Sequence, residues 1–145
     1  MSTEQAGGHP DTTAVVGFSA EAVERLLRLA EGETIEILRP PGTGLMMMTV
    51  HDAFGTPFHL GEVLVTEAEV GWGGLRGYGQ VCGDDPGRAL ARACAEVILR
   101  GEDDLLKLRI RQLLEAEEER TAAERSAEET LVAATRVQFD LMPGS

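Results

Sequence analysis

His51 and Asp52 precede His59 and Glu62 in the run HDAFGTPFHLGE, which places two imidazoles and two carboxylates on either side of a short loop. Imidazole and carboxylate supply both metal ligands and groups that titrate near neutral pH, so convergence of the four would support metal-dependent or general acid–base chemistry. The H-x₇-H spacing matches no specific metal signature, and polar residues at a turn or sheet edge are the commoner explanation. A small metal-dependent enzyme using His51, His59 and Glu62 is one alternative reading.

Other chemistry-bearing residues cluster just downstream. Glu62, Glu67 and Glu69 lie in a β-branched run, and by strand parity Glu62 faces away from the other two. One of them is therefore expected to be buried against an arginine, within the chain or across an interface. Gly71, Gly73, Gly74, Gly77, Gly79 and Gly83 invite a phosphate-loop reading. They form neither G-x-x-x-x-G-K-[ST] nor G-x-G-x-x-G between strand and helix. A helix start at Asp85 could attract an anion, with Arg39, Arg76 and Arg88 as the local cations, but Asp84 and Asp85 already place negative charge there. Trp72, the only tryptophan, packs on its own sheet or anchors an interface. No Ser-His-Asp or Cys-His pair can be assigned, and no catalytic, cofactor-binding or metal-ligating residue is designated.

These residues need elements to hold them. Met1 to about Gly17 has little apolar periodicity and reads as a flexible tail. Val23, Leu26, Leu27 and Ala30 then mark an amphipathic helix, with Ser19 as N-cap and Gly32 past its end. Glu33–Arg39 and Leu45–Val50 read as two strands separated by a turn at Pro40-Pro41-Gly42. Met46, Met47 and Met48 would point to both faces, which predicts burial on both sides by helices or by a partner. Phe58–Thr66 and Leu75–Val81 supply further strands, and links too short for crossover helices make the sheet antiparallel. Asp85 and Pro86 start a helix whose apolar face is Ala89, Leu90, Ala93, Cys94, Val97 and Ile98, ending at Gly101. A long charged helix runs from Glu102 to about Ala134, and Val137, Phe139 and Leu141 alternate in a strand-like tail over Thr135–Met142. The expected fold is α+β: an antiparallel sheet of about four strands packed with helices, plus a long C-terminal helix and an apolar tail suited to docking on a neighbour.

Composition bounds the function. A chain of 145 residues can bury a core of its own. Its formal charge of −12 repels nucleic-acid backbones and anionic membranes. Cys82 and Cys94 form no C-x-x-C pair and read as reduced core thiols. With no apolar run of membrane-spanning length, a cytoplasmic protein is expected.

The block Gly61-Glu62-Val63-Leu64-Val65-Thr66-Glu67, followed by Gly77-Tyr78-Gly79, Gly83-Asp84-Asp85 and the alanine-rich helix Ala89–Ile98, resembles the PhnG family. This is a subunit family of the bacterial carbon–phosphorus lyase system. The resemblance extends to Val23–Ala30, to Leu38-Arg39-Pro40 with Gly44-Leu45, and to Thr135-Arg136-Val137-Gln138-Phe139. It implies one PhnG-like domain over residues 18–145, beyond the N-terminal 17 residues. It implies an assembly with PhnH-, PhnI-, PhnJ- and PhnL-like subunits, in which a phosphonate oxygen displaces adenine from MgATP at the ribose anomeric carbon. The product, an α-D-ribose 1-phosphonate 5-triphosphate, is then cleaved by the PhnJ radical enzyme. In the family the position of Glu62 also holds Asp and that of Glu67 is not always acidic, which points away from direct catalysis by either. The resemblance thus implies a subunit of a transferase, inactive alone, binding no cofactor by itself, with MgATP as substrate of the complex. A stand-alone homo-oligomeric binding module is the remaining alternative.

Overall fold

Gly73 and Gly74 have φ of +57° and +81°, a conformation that glycine adopts without steric cost and that matches the twist of a tight hairpin. They join two strands, β2 (Pro57–Trp72) and β3 (Leu75–Cys82), and β2 pairs on its other side with β1 (Glu36–His51). The computed structural model describes the backbone of residues 9–140 and the side chains of residues 9–134. Around the antiparallel sheet, of order β1-β2-β3, lie a 3₁₀ turn (Thr13–Gly17) and three helices, α1 (Ala20–Glu31), α2 (Pro86–Arg100) and α3 (Asp104–Asp140). The fold is α+β with three strands rather than about four.

The missing strand is a merger. The two runs expected on either side of Pro40-Pro41-Gly42 form one strand, β1, which passes through the prolines with register shifts between Ile37 and Arg39 and between Arg39 and Gly42. Proline cannot donate to a ladder, but β1 is an edge strand and its outer N–H groups need no neighbour. The register shifts absorb the rest of the distortion.

The core forms where α2 meets the sheet. Ala89, Ala93 and Val97 turn toward β3, where Gly77 and Gly79 present bare backbone. A Cβ at Gly77 would overlap the Ala93 carbonyl and lie 2.8 Å from Val97 Cβ, and one at Gly79 would overlap the Ala89 carbonyl. The paired glycines therefore serve close helix–strand packing. Trp72 is half-buried against this core, its ring stacked over Gly101. Cys94 is buried, which pushes its thiol up to about 11, but Cys82 is exposed, contrary to expectation.

The helix ends follow the expected rules. Ser19 Oγ accepts from Ala22 N at 3.1 Å, and Gly32 and Gly101 close α1 and α2. Part of the expected tail is packed: Val15 and Thr12 are buried. Polar staples hold it, with Arg88 Nη1 donating to the carbonyls of Val15 (3.0 Å) and Phe18 (2.7 Å) and Arg120 Nη2 to that of Gly17 (2.7 Å). These bonds are local in space but remote in sequence, which is why composition misread the segment. Leu106, Ile110, Leu113 and Leu114 seat the first half of α3. The strand expected over Thr135–Met142 is not formed as far as Asp140, since the backbone continues α3. Residues 141–142 lie outside the described residues.

Gly79→Ala should destabilise the chain by about 2–4 kcal/mol in a denaturant titration, because the added methyl meets backbone that cannot repack. Glu117 gives a pH-dependent test. Burial opposes its ionisation, but the Ser19 N–H (2.9 Å) and the Arg120 guanidinium outweigh it and hold its carboxyl below the usual range. A lowered folded value means that its contribution is complete above the ordinary value and is lost as pH falls through the folded one. Glu117→Gln should therefore cost about 1–2 kcal/mol at neutral pH, and the gap from the unaltered chain should narrow in unfolding curves below about pH 4.

Candidate functional site

The outer edge of β3 is covered by side chains. Arg92, Glu96 and Arg100 recur every fourth residue on α2 and so share one face of the helix. Arg92 Nη1 donates to the Gln80 carbonyl (3.0 Å), Glu96 Oε1 accepts from Tyr78 N (2.9 Å), and Arg100 Nη1 donates to the Arg76 carbonyl (2.6 Å). Three charged side chains thereby occupy backbone groups that an incoming strand would need. Arg92 and Glu96 also line a cleft of about 450 Å³ with His9, Asp11, Thr12, Tyr78 and Gln80. Its one guanidinium is already engaged, with Nε on Thr12 Oγ1 at 3.1 Å as well as Nη1 on Gln80.

Beyond Cys82, the partner of Val65, β3 ends, while β1 and β2 continue as a two-stranded arm to a tip at Asp52–Thr56. Asp52 Oδ1 shapes that tip by accepting from Phe54 N and Thr56 N, both at 2.9 Å. Leu45, Met46, Met47, Met48, Phe54, Phe58, Leu60 and Leu64 are all exposed along the arm, Phe54 at 92 %. The burial expected for the three methionines is therefore not provided by this chain: alternation puts them on both faces, and α2 reaches only the base of the sheet.

The chemistry-bearing residues lie on this arm without converging. His59 Nδ1 is 3.1 Å from Thr49 Oγ1, Asp52 caps the tip, His51 pairs in register with Pro57 and Glu62 with Met47. Among the described residues no group of three His, Cys, Asp or Glu side chains could hold a metal ion. The register sets His51 diagonally across from His59, with Glu62 two pairs nearer the base and Asp52 in the tip, so the quartet is spread along the hairpin rather than gathered at one point. Glu67 and Glu69 share the sheet face opposite α2, as parity requires, and both meet arginines at the partly exposed surface rather than one being buried against an arginine. Glu67 Oε2 lies 3.3 Å from Arg39 Nη1, and Glu69 Oε2 lies 3.8 Å from Arg76 Nη1. Beside them, burial and then the Glu67 carboxylate raise the Tyr78 phenol.

No phosphate cradle forms at the start of α2. Asp85 Oδ1 accepts from Arg88 N (3.2 Å) and Oδ2 from Arg88 Nε (2.8 Å), and these bonds hold the carboxyl below its usual range. Asp85 N is taken by Thr66 Oγ1 at 3.0 Å. The helix terminus that could have drawn an anion is filled by the chain's own carboxylate, and Arg39, Arg76 and Arg88 are dispersed among separate partners. Sequence reasoning missed Arg92, Glu96 and Arg100, although their four-residue spacing on an otherwise alanine-rich helix was the available signal.

The model of the phosphonate metabolism protein PhnG matches residues 12–144. The chain belongs to the PhnG family. The match begins at the buried Thr12, so the stapled segment and the arm both fall within the family unit. No curated protein matches the chain. Membership places it in phosphonate metabolism, and no described helix is long and apolar enough to cross a membrane.

Because the arm touches little of the core, Leu45→Ser and Leu60→Ser should each change unfolding free energy by no more than about 0.5 kcal/mol. Both should lower the fluorescence of a dye that binds apolar surface, an effect a covered arm would not produce.

Proposed function

We propose that the chain is a non-catalytic or co-catalytic subunit of a carbon–phosphorus lyase core assembly. In this role it supports transfer of the ribose triphosphate moiety of MgATP to a phosphonate with release of adenine. PhnH-, PhnI-, PhnJ- and PhnL-like subunits are its partners, in the cytoplasm. The observation that carries the reading is the PhnG family match over residues 12–144.

The physical properties of the chain support it. ATP and a phosphonate are both anions, and the formal charge is −12. The described arginines near the sheet and the α2 terminus are committed to carboxylates or carbonyls of the chain itself. The positive field that steadies a triphosphate then comes from other subunits and from Mg²⁺. The role left to this chain is architectural, holding a catalytic neighbour in its competent form.

The test is co-expression with the PhnI-like subunit, followed by solution mass and adenine release from MgATP with methylphosphonate. The isolated chain should release no adenine above background. A stable mixed complex should form, and transferase activity should appear once PhnH- and PhnL-like subunits are added. Robust adenine release by the pure chain would overturn the reading.

A further inference from the structure

We infer that the arm is a docking element on which a basic, heterologous subunit adds a strand beside Phe58–Val63, continuing the line of β3. The inference rests on the assembly reading above and assigns it a surface. Taking roughly 200 Å² for a large apolar residue in the open, the exposed arm side chains present on the order of 900 Å². That total, spread over both faces and the tip of the arm, is of the size of one partner's share of a stable interface.

The edges of the sheet say where the partner goes. Arg92, Glu96 and Arg100 block β3, and Pro40 and Pro41 interrupt the proximal edge of β1. Beside β2, β3 stops opposite Val65, and at Gly83, with φ +86°, the chain turns away into Asp84 and α2. Two flanks of the arm lie open, that of β2 from Phe58 to Val63 beyond the end of β3, bent by the bulge at Leu60–Gly61 (Gly61 φ +131°), and the distal edge of β1 from Leu45 to His51; the carboxylates beside β2 single out the first. A strand seated there gains ladder hydrogen bonds from the backbone and apolar contacts from alternate side chains on both faces.

Charge selects the occupant. Asp84 stands where the added strand would begin, Glu62 lies beside it and Asp52 at the far end. Among the described residues none of these three takes part in an ion pair with an arginine or lysine. A second copy would bring the same carboxylates and another −12 of formal charge, whereas a lysine- or arginine-bearing strand complements them.

The test uses the full chain co-expressed with the PhnI-like subunit, unaltered and as Leu60→Asp, Met47→Asp and, as a control on an exposed part of α3, Leu105→Asp. Complex formation is read by native mass spectrometry and sedimentation, and backbone amide exchange is followed over Phe58–Val63. Each arm variant should weaken the mixed complex by roughly a hundredfold, because a carboxylate would be desolvated at the contact, while Leu105→Asp should assemble normally. Exchange at Phe58–Val63 should slow on complex formation. If Leu60→Asp fails to fold alone, amide exchange in the unaltered chain decides. A mixed complex that forms equally well with the arm variants, or one that leaves exchange at Phe58–Val63 unchanged, overturns the docking inference alone. No mixed complex with the unaltered chain overturns the inference and the assembly reading together. A homodimer of the isolated chain that Leu60→Asp disrupts reassigns the arm to a second copy and overturns the heterologous partner.

Discussion

The approach of α2 to β3 is the contact on which the other elements depend. Bare backbone at Gly77 and Gly79 lets a helix of small side chains lie almost directly on a strand. That closeness puts Arg92, Glu96 and Arg100 within reach of the outer carbonyls and N–H of β3. It also brings Arg88 to the carbonyls of Val15 and Phe18. A larger side chain at either glycine would lift the helix and loosen the edge clamp and the staples together, because each bond works only over about 3 Å.

The same contact divides the sheet into two regimes. At the base, one face is covered, the β3 edge is occupied and the open face carries arginine–carboxylate pairs. Beyond Val65, with no third strand beneath it, α2 has nothing to pack against and the hairpin projects with apolar side chains on both faces. Isolated two-stranded hairpins are marginal in water. This one is anchored by a stable base and shaped at its tip by Asp52, an arrangement suited to a segment completed by another chain.

Much of the fold could be read from local chemistry. Ser19, Asp85, Pro86 and the closing glycines mark helix ends because capping depends on a few adjacent backbone groups. The apolar spacing of Val23, Leu26 and Ala30 marks α1 for a similar reason. The sheet was partly legible: its antiparallel sense follows from short links, but Pro40-Pro41-Gly42 reads as a turn unless the strand is known to lie at an edge. Of the candidate residues, the shared face of Glu67 and Glu69 followed from parity, while their arginine partners and the dispersal of His51, Asp52, His59 and Glu62 depended on the register of the hairpin.

Residue types and spacing by themselves determined α1, α2 and their caps, the first part of α3, the antiparallel sense of the sheet, the acidic charge and the resemblance that the family match bears out. These are properties of neighbouring residues or of the whole composition, so they survive without coordinates. Tertiary structure alone decided that Thr12–Phe18 is stapled to α2 and α3, that Gly77 and Gly79 are contact positions, and that Met46–Met48 face outward. Whether an apolar strand is core or surface depends on what lies across from it. That is set by where β3 ends and how far α2 reaches, at a distance in the chain that periodicity does not measure.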